Sequence, residues 1–311
     1  EFINCNATNN GGALYVIGND TQILNCTFAS NTGLDAGALY VEGDGCKLVN
    51  STFKDNVAGD DGGAIYWEGD NGIIYNMTCI NNKGISATKP DGVNTSSTRG
   101  GTISIIGSNI TLSKSSFKSS KAYIDAGKDS SKVDGGAIFI TGNGIIINAT
   151  EFDDCTAVNN GGAIYIIGNN TQILNCSIDN TKAYIGGAIF IAGDDTIVDN
   201  SLFRHNTASG NSPTTGELGG SGGAIYVEGE DATISNSDFA YGDAVNYGGA
   251  ISVWGANANI TKNVFDNCTT TYYDGGSIYV NGVNATISLS NFTRSTAKNN
   301  FAHGGPIQVS G

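Results

Sequence analysis

A five-residue phrase, Gly-Gly-Ala-Ile-Tyr, recurs along the chain with small substitutions, and it limits the fold more than any other feature. The second glycine of successive copies is Gly12, Gly37, Gly63, Gly101, Gly136, Gly162, Gly187, Gly223, Gly249, Gly276 and Gly305, so the spacings are 25, 26, 38, 35, 26, 25, 36, 26, 27 and 29 residues. Six residues further on, every copy has another glycine, from Gly18 to Gly311. Eleven residues on stands an aliphatic side chain (Ile23, Leu48, Ile74), and sixteen on usually a Phe (Phe28, Phe53, Phe117). This block never changes length; all variation falls between the Phe position and the next Gly-Gly. A period of this kind means stacked repeats that bury a shared core.

The repeats are not helical. Apolar residues do not recur at i, i+3, i+4 and i+7, and β-branched and aromatic residues dominate. Gly-Ala-Ile-Tyr-Val reads as a short strand closed by a glycine turn, with further strands around the Ile and Phe positions. Three short strands in about 25 residues make one coil of a parallel β-helix, and eleven coils at about 4.8 Å each rise about 50 Å. Propeller blades need about 40–45 residues. The predicted fold is all-β, a single-stranded parallel β-helix of about eleven coils, continuous over 1–311 and an excerpt of a longer repeat protein. The general crossover preference makes it right-handed. Alternation sorts the first strand's faces. Leu14, Leu39, Ile65 and their equivalents point inward, as do Val16, Val41 and their equivalents, with Trp67 a misfit in that second column.

Composition narrows the function. Lys and Arg number 15 against 29 Asp and Glu, a net charge of −14, which argues against nucleic acid and anionic lipid. No run approaches the ~18 apolar residues of a membrane span, so no membrane insertion by this segment is expected. Charged residues are only 14%, and 37 asparagines supply polar structure instead. Asn31, Asn56, Asn82 and Asn206 stand three residues after the Phe position, where stacked amides can satisfy turn backbone. The seven cysteines form no CxxC pair and mostly occupy repeat columns, several coils apart, as small buried hydrophobes.

The pairing of Gly-Gly-Ala-Ile/Leu with Phe-x-x-Asn (Phe28 to Asn31, Phe53 to Asn56, Phe203 to Asn206) resembles the repeats of chlamydial polymorphic outer-membrane proteins. The acidic background, rich in Asn, Gly and Tyr, is similar to adhesin-like proteins of methanogenic archaea. The resemblance covers the whole chain. It implies a secreted, cell-surface, right-handed β-helix used in attachment.

Four features are candidate sites. First, Tyr15, Tyr40, Tyr66, Phe139, Tyr165, Phe190, Tyr226 and Tyr279 fall between the inward columns, so parity points them outward. An aromatic strip there could stack on sugar rings or a partner protein, or simply stabilise the coils. Second, three expanded gaps emerge along one edge, and the two on adjacent coils carry Lys89, Arg99, Lys121 and Lys128, a basic patch for an anionic glycan or partner. Third, Asp35, Asp61, Asp134 and Asp274 precede the Gly-Gly. Neighbouring Asp35 and Asp61 could share Ca²⁺, although Asx residues are also good turn formers there. Fourth, among fourteen Asn-x-Ser/Thr sequons, Asn94 and Asn109 are the glycosylation candidates.

Together these features point to a non-catalytic, extracellular adhesin-like shaft with no other cofactor. Its partners would be surface glycans or proteins. Two rivals are a self-assembling filament, its coils stacked end to end between molecules, and a β-helical polysaccharide lyase or hydrolase, which would need converging carboxylates.

Overall fold

The computed structural model describes residues 1–86, 98–124, 133–210, 219–299 and 302–311. Each repeat is one coil, and every strand pairs in parallel with the equivalent strand of the next coil. The first ladder begins with Leu14–Ile17, Leu39–Glu42 and Ile65–Glu68 and ends with Ile307–Val309, eleven strands in sequence order. The second runs from Gln22–Leu24 to Thr286–Ser288, and the third from Phe2–Ile3 to Asn291–Thr293. Register is residue for residue: Leu14 opposes Leu39, Leu39 opposes Ile65, and Ile65 opposes Ile103.

Each coil also has a fourth strand, which corrects the expected three. It is two residues long in most coils, from Thr32–Gly33 and Val57–Ala58 to Thr296–Ala297. Its inward residues are small and buried, such as Ala58, Ala157 and Ala208. The reason is crowding by the glycine turn. A Cβ on Gly63 would lie 2.0 Å from the Gly101 carbonyl oxygen and 2.5 Å from the Lys83 backbone, inside any tolerable contact. Gly62 before it has φ of 61°, a conformation that favours glycine. The pair therefore bends the chain and lets the fourth strand lie against it.

The interior is dry and columnar. Ile65, Ile138, Ile225 and Leu48 are fully buried. Rings stack in the Phe column: Phe28 lies 4.6 Å from Phe53, Phe203 4.8 Å from Phe239, and Phe239 5.0 Å from Phe265, all with nearly parallel planes. Such pairs add about 0.5–1.5 kcal/mol beyond burial. Cys79 and Ile178 interrupt the stack. Trp67 is fully buried rather than displaced, because Gly72 makes room; a Cβ there would meet the indole at 2.6 Å.

Asparagine closes the turns in two ways. Asn31 Nδ2 donates to Asn56 Oδ1 at 3.0 Å, and Asn56 Nδ2 donates to Asn82 Oδ1 at 3.0 Å. The same amides bind backbone: Asn56 Nδ2 donates to the Phe28 carbonyl, and Asn56 Oδ1 accepts from the Asn31 N–H. All three are fully buried. Asparagine also fills left-handed positions, including Asn25, Asn50, Asn76, Asn175 and Asn200, with φ between 48° and 54°. Asn and Asp tolerate that region best among non-glycine residues.

Replacing Asn56 by Leu orphans the Asn31 N–H and removes the side-chain bond to the Phe28 carbonyl, and is expected to cost about 3 kcal/mol in denaturant unfolding, against under about 0.5 kcal/mol for exposed Lys47→Ala. Gly72→Ala is expected to cost about 1–3 kcal/mol through collision with Trp67. The loss should shrink sharply in a Trp67→Val background, and equal losses in both backgrounds would refute the steric pairing.

Candidate functional site

The aromatic column lies on the outer face of the first ladder, as parity requires, yet it is mostly covered. Phe139, Phe190 and Tyr226 are 2%, 4% and 0% exposed, and Tyr40 and Tyr279 are also buried. Burial withdraws these five from the expected contact strip. Tyr66 and Tyr165 are half-buried, and Tyr15 is exposed at 43%. Stacking accounts for part of the cover. Tyr40 and Tyr66 rings lie 4.8 Å apart, Phe139 and Tyr165 5.4 Å, Tyr165 and Phe190 4.9 Å, and Phe190 and Tyr226 5.0 Å.

Side chains beside the column fill its gaps: Arg99, just before one Gly-Gly, and Trp254, five residues after another. Ser104 interrupts the aromatics between Tyr66 and Phe139. There the Arg99 guanidinium lies over the Phe139 ring, 5.1 Å from its centroid. Ser252 interrupts them again between Tyr226 and Tyr279. There the Trp254 indole donates to Ser252 Oγ at 3.1 Å and lies 5.6 Å from the Tyr279 ring. Burial raises the Tyr66 and Tyr226 hydroxyls well above the usual phenol range and Tyr165 to about 12.

Two hydroxyls of the column meet carboxylates. Tyr15 donates to Glu42 at 2.7 Å and Tyr40 to Glu68 at 3.1 Å. Glu42 and Glu68 are register neighbours and line a recess with Ile17 and Asp44. This makes an acidic, aromatic ledge on the first three coils.

Of the expected basic patch, the described residues include Arg99 and Lys121. The two adjacent expanded segments do meet, as Lys83–Ser86 pairs with Lys121–Ile124 and Thr98–Arg99 with Val133–Asp134. Lys121 is exposed. Arg99 is half-buried, covers Phe139, and electrostatically favours the ionised forms of Asp61 and Asp134. Lys89, Lys128 and the sequon Asn94 lie outside the described residues. Asn109 is exposed and left-handed, with its amide donating to Asn71 at 3.3 Å.

The aspartates before the glycines act as turn acceptors. Asp61 accepts from the Arg99 N–H at 2.9 Å, Asp134 from the Asn160 N–H at 3.1 Å, and Asp274 from the His303 N–H. Each bond joins one coil to the next. Among the described residues no group of three or more His, Cys, Asp or Glu comes together to hold a metal. Asp61 feels the charges of both Asp60 and Asp35. The seven cysteines are free thiols in the structure, and burial pushes Cys155 up to about 12 and Cys176 and Cys268 to about 11.

One cluster escaped the sequence reading. Tyr247, Trp254, Tyr273 and Tyr279 gather near the last coils, with Tyr247 4.4 Å from Tyr279 and 5.1 Å from Tyr273. Tyr247, Trp254 and Tyr273 are half-buried rather than closed off. The available signal was aromatic density between 247 and 279, but three of these residues lie off the repeat column and so carry no periodic mark.

Comparison with known proteins agrees with this geometry. Residues 1–178 match the family model described as a right-handed β-helix region. Residues 200–228 match the Chlamydia polymorphic membrane protein repeat. No curated protein matches the chain. The parallel β-helix and a repeat of the polymorphic-membrane-protein type both stand on these matches.

Burial, then the charge of Asp60, pushes the Asp61 carboxyl up to about 7, and burial pushes Asp134 to about 6. In the unfolded chain both ionise near the ordinary value of about 3.9. Between these values the native state holds protons that the unfolded state has lost, so stability falls as pH rises from about 4 to about 7. Asp61→Asn keeps an acceptor for the Arg99 N–H and removes the titration. The thermal midpoint of this variant is expected to decline less between pH 5 and pH 8 than that of the parent chain, and to lie above it at pH 8. Identical pH profiles would refute the assignment.

Proposed function

We propose, for a chain that belongs to the right-handed β-helix family, that it is the passenger shaft of a surface-exposed protein, holding contact residues out on a stiff rod without catalysing a reaction. The observation that carries this reading is the continuity of its four ladders from the first coils to the last. A solenoid whose coils pair residue for residue resists bending and presents a long lateral surface. The match of residues 200–228 to a polymorphic membrane protein repeat supports a surface location.

The carboxylates favour a structural role. Asp61, Asp134 and Asp274 accept backbone N–H groups of the following coil rather than converging on a groove. A hydrolase of this fold would need two carboxyl groups about 5–9.5 Å apart across a substrate. The accessible contact groups are Tyr15 on its acidic ledge, the half-buried Tyr66 and Tyr165, Lys121, and the Tyr247–Trp254–Tyr273 cluster. These are the groups offered to surface glycans or partner proteins.

Beads coated with the chain should adhere to cells that bear the partner. The combined Tyr15→Ala and Lys121→Ala substitutions are expected to lower retention about tenfold, a loss of about 1.4 kcal/mol, without altering circular dichroism. Release of reducing ends from any member of a polysaccharide panel, abolished by a single carboxylate substitution, would replace this reading with an enzymatic one.

A further inference from the structure

We propose that the open face of Tyr247, Trp254 and Tyr273, floored by Tyr279, is a subsite for a neutral pyranose residue of an oligosaccharide. Its biological use rests on the adhesive reading above, but the binding event does not.

The rings form a fixed surface. Tyr247 stacks on Tyr273 at 5.1 Å with planes 16° apart, and leans on Tyr279 at 4.4 Å. Trp254 meets Tyr247 edge-on at 6.2 Å and Tyr279 at 5.6 Å. Its indole N–H is held by Ser252 Oγ, which sets the ring's orientation. Tyr279 is buried beneath, while the other three keep part of their surface in solvent. A platform already ordered by its own contacts loses little conformational freedom on binding.

The chemistry selects the ligand. An aromatic face carries negative quadrupole density and attracts the weakly positive C–H face of a pyranose. The sugar's hydroxyls project from the ring edge and require polar partners there. Burial raises the Tyr247 and Tyr279 hydroxyls, so they remain protonated donors at neutral pH. The Asp274 carboxylate acts electrostatically on both hydroxyls. His303 Nδ1 lies 3.5 Å from the same carboxylate.

Size and charge exclude the alternatives. Three rings with centroids within 6.2 Å of Tyr247 match one or two sugar units. An amphipathic helix, about 10 Å across with several anchoring turns, needs a longer groove. Asp274 and a net charge of −14 disfavour uronates and other anionic sugars. Tyr241, exposed at 45% and stacked on His205 alone, offers a single ring and no such platform.

The two tryptophans make the test direct. Trp67 is fully buried and Trp254 half-exposed, so ligand-dependent emission reports Trp254. The full chain is titrated with cellohexaose, mannohexaose and laminarihexaose by fluorescence and by calorimetry. At least one is expected to give a saturable emission change with a Kd of about 1 mM, and Tyr273→Ala to weaken it about tenfold with unchanged circular dichroism. Tyr241→Ala should bind as the parent does. Where alanine disturbs the coil, Tyr273→Leu keeps an apolar cap on Tyr247 without an aromatic face and should weaken binding equally. The proposal is overturned by the absence of a saturable response up to about 20 mM with all three sugars. Unchanged affinity in the folded Tyr273 variant overturns it too, as does tetragalacturonate binding as tightly as the neutral sugars. Failure here with retained cell adhesion would remove the sugar subsite and leave the shaft reading intact.

Discussion

The structure depends on coils lying so close that the backbone itself sets the register. A side chain on Gly63, Gly101 or Gly136 would occupy the carbonyl oxygen of the next coil's glycine, at 2.0, 2.0 and 1.9 Å. With that contact closed, the following strand pairs with its neighbour without slippage: Ile103 with Ile138, and Ile138 with Ile164. A slip of one residue would turn the whole apolar set outward. Register then makes like residues neighbours, and each column finds the chemistry suited to stacking. Phenyl rings lie face to face, amides bond to amides, and most left-handed turn positions take Asn or Asp.

The fixed-length part of the repeat made the fold legible. Because 16 residues from glycine to Phe never change in number, the inward columns could be read by parity, and Leu39, Ile65 and Ile138 are fully buried. The Asn31–Asn56–Asn82 amide ladder was equally readable from its spacing after Phe. The fourth strand was not. Two residues such as Val57–Ala58 show no alternation, and small size at Ala58 reads as loop composition. Trp67 looked like a misfit because its compensation, Gly72, lies five residues on, in a column of mixed residues.

The candidate site was less legible, for a related reason. Parity gives the direction of Phe139 and Tyr226 but not what stands over them. One covering residue, Arg99, comes from the stretch of variable length, where alignment to the repeat is lost; the other, Trp254, stands in the fixed block but past the aromatic column. Arg99 belongs to an expanded segment and counted as surface charge, yet it lies over Phe139 where Ser104 leaves the column vacant. Trp254 does the same beside Ser252. The accessible aromatics are Tyr15, a member of the repeated column, and the Tyr247–Trp254–Tyr273 cluster, which lies off it. On a solenoid the repeated positions build the rod, and the irregular ones carry its specificity.

The most direct test of a dry, in-register bore is the reactivity of its thiols. Cys79 occupies the Phe column between Phe53 and Phe117, and Cys155 is likewise fully buried, whereas Cys5 and Cys26 are partly exposed. Mass spectrometry after timed alkylation of the native chain should show Cys5 and Cys26 modified first. Cys46, Cys79, Cys155, Cys176 and Cys268 should be protected until denaturant unfolds the coils. Prompt labelling of Cys79 and Cys155 in the native chain would contradict the account.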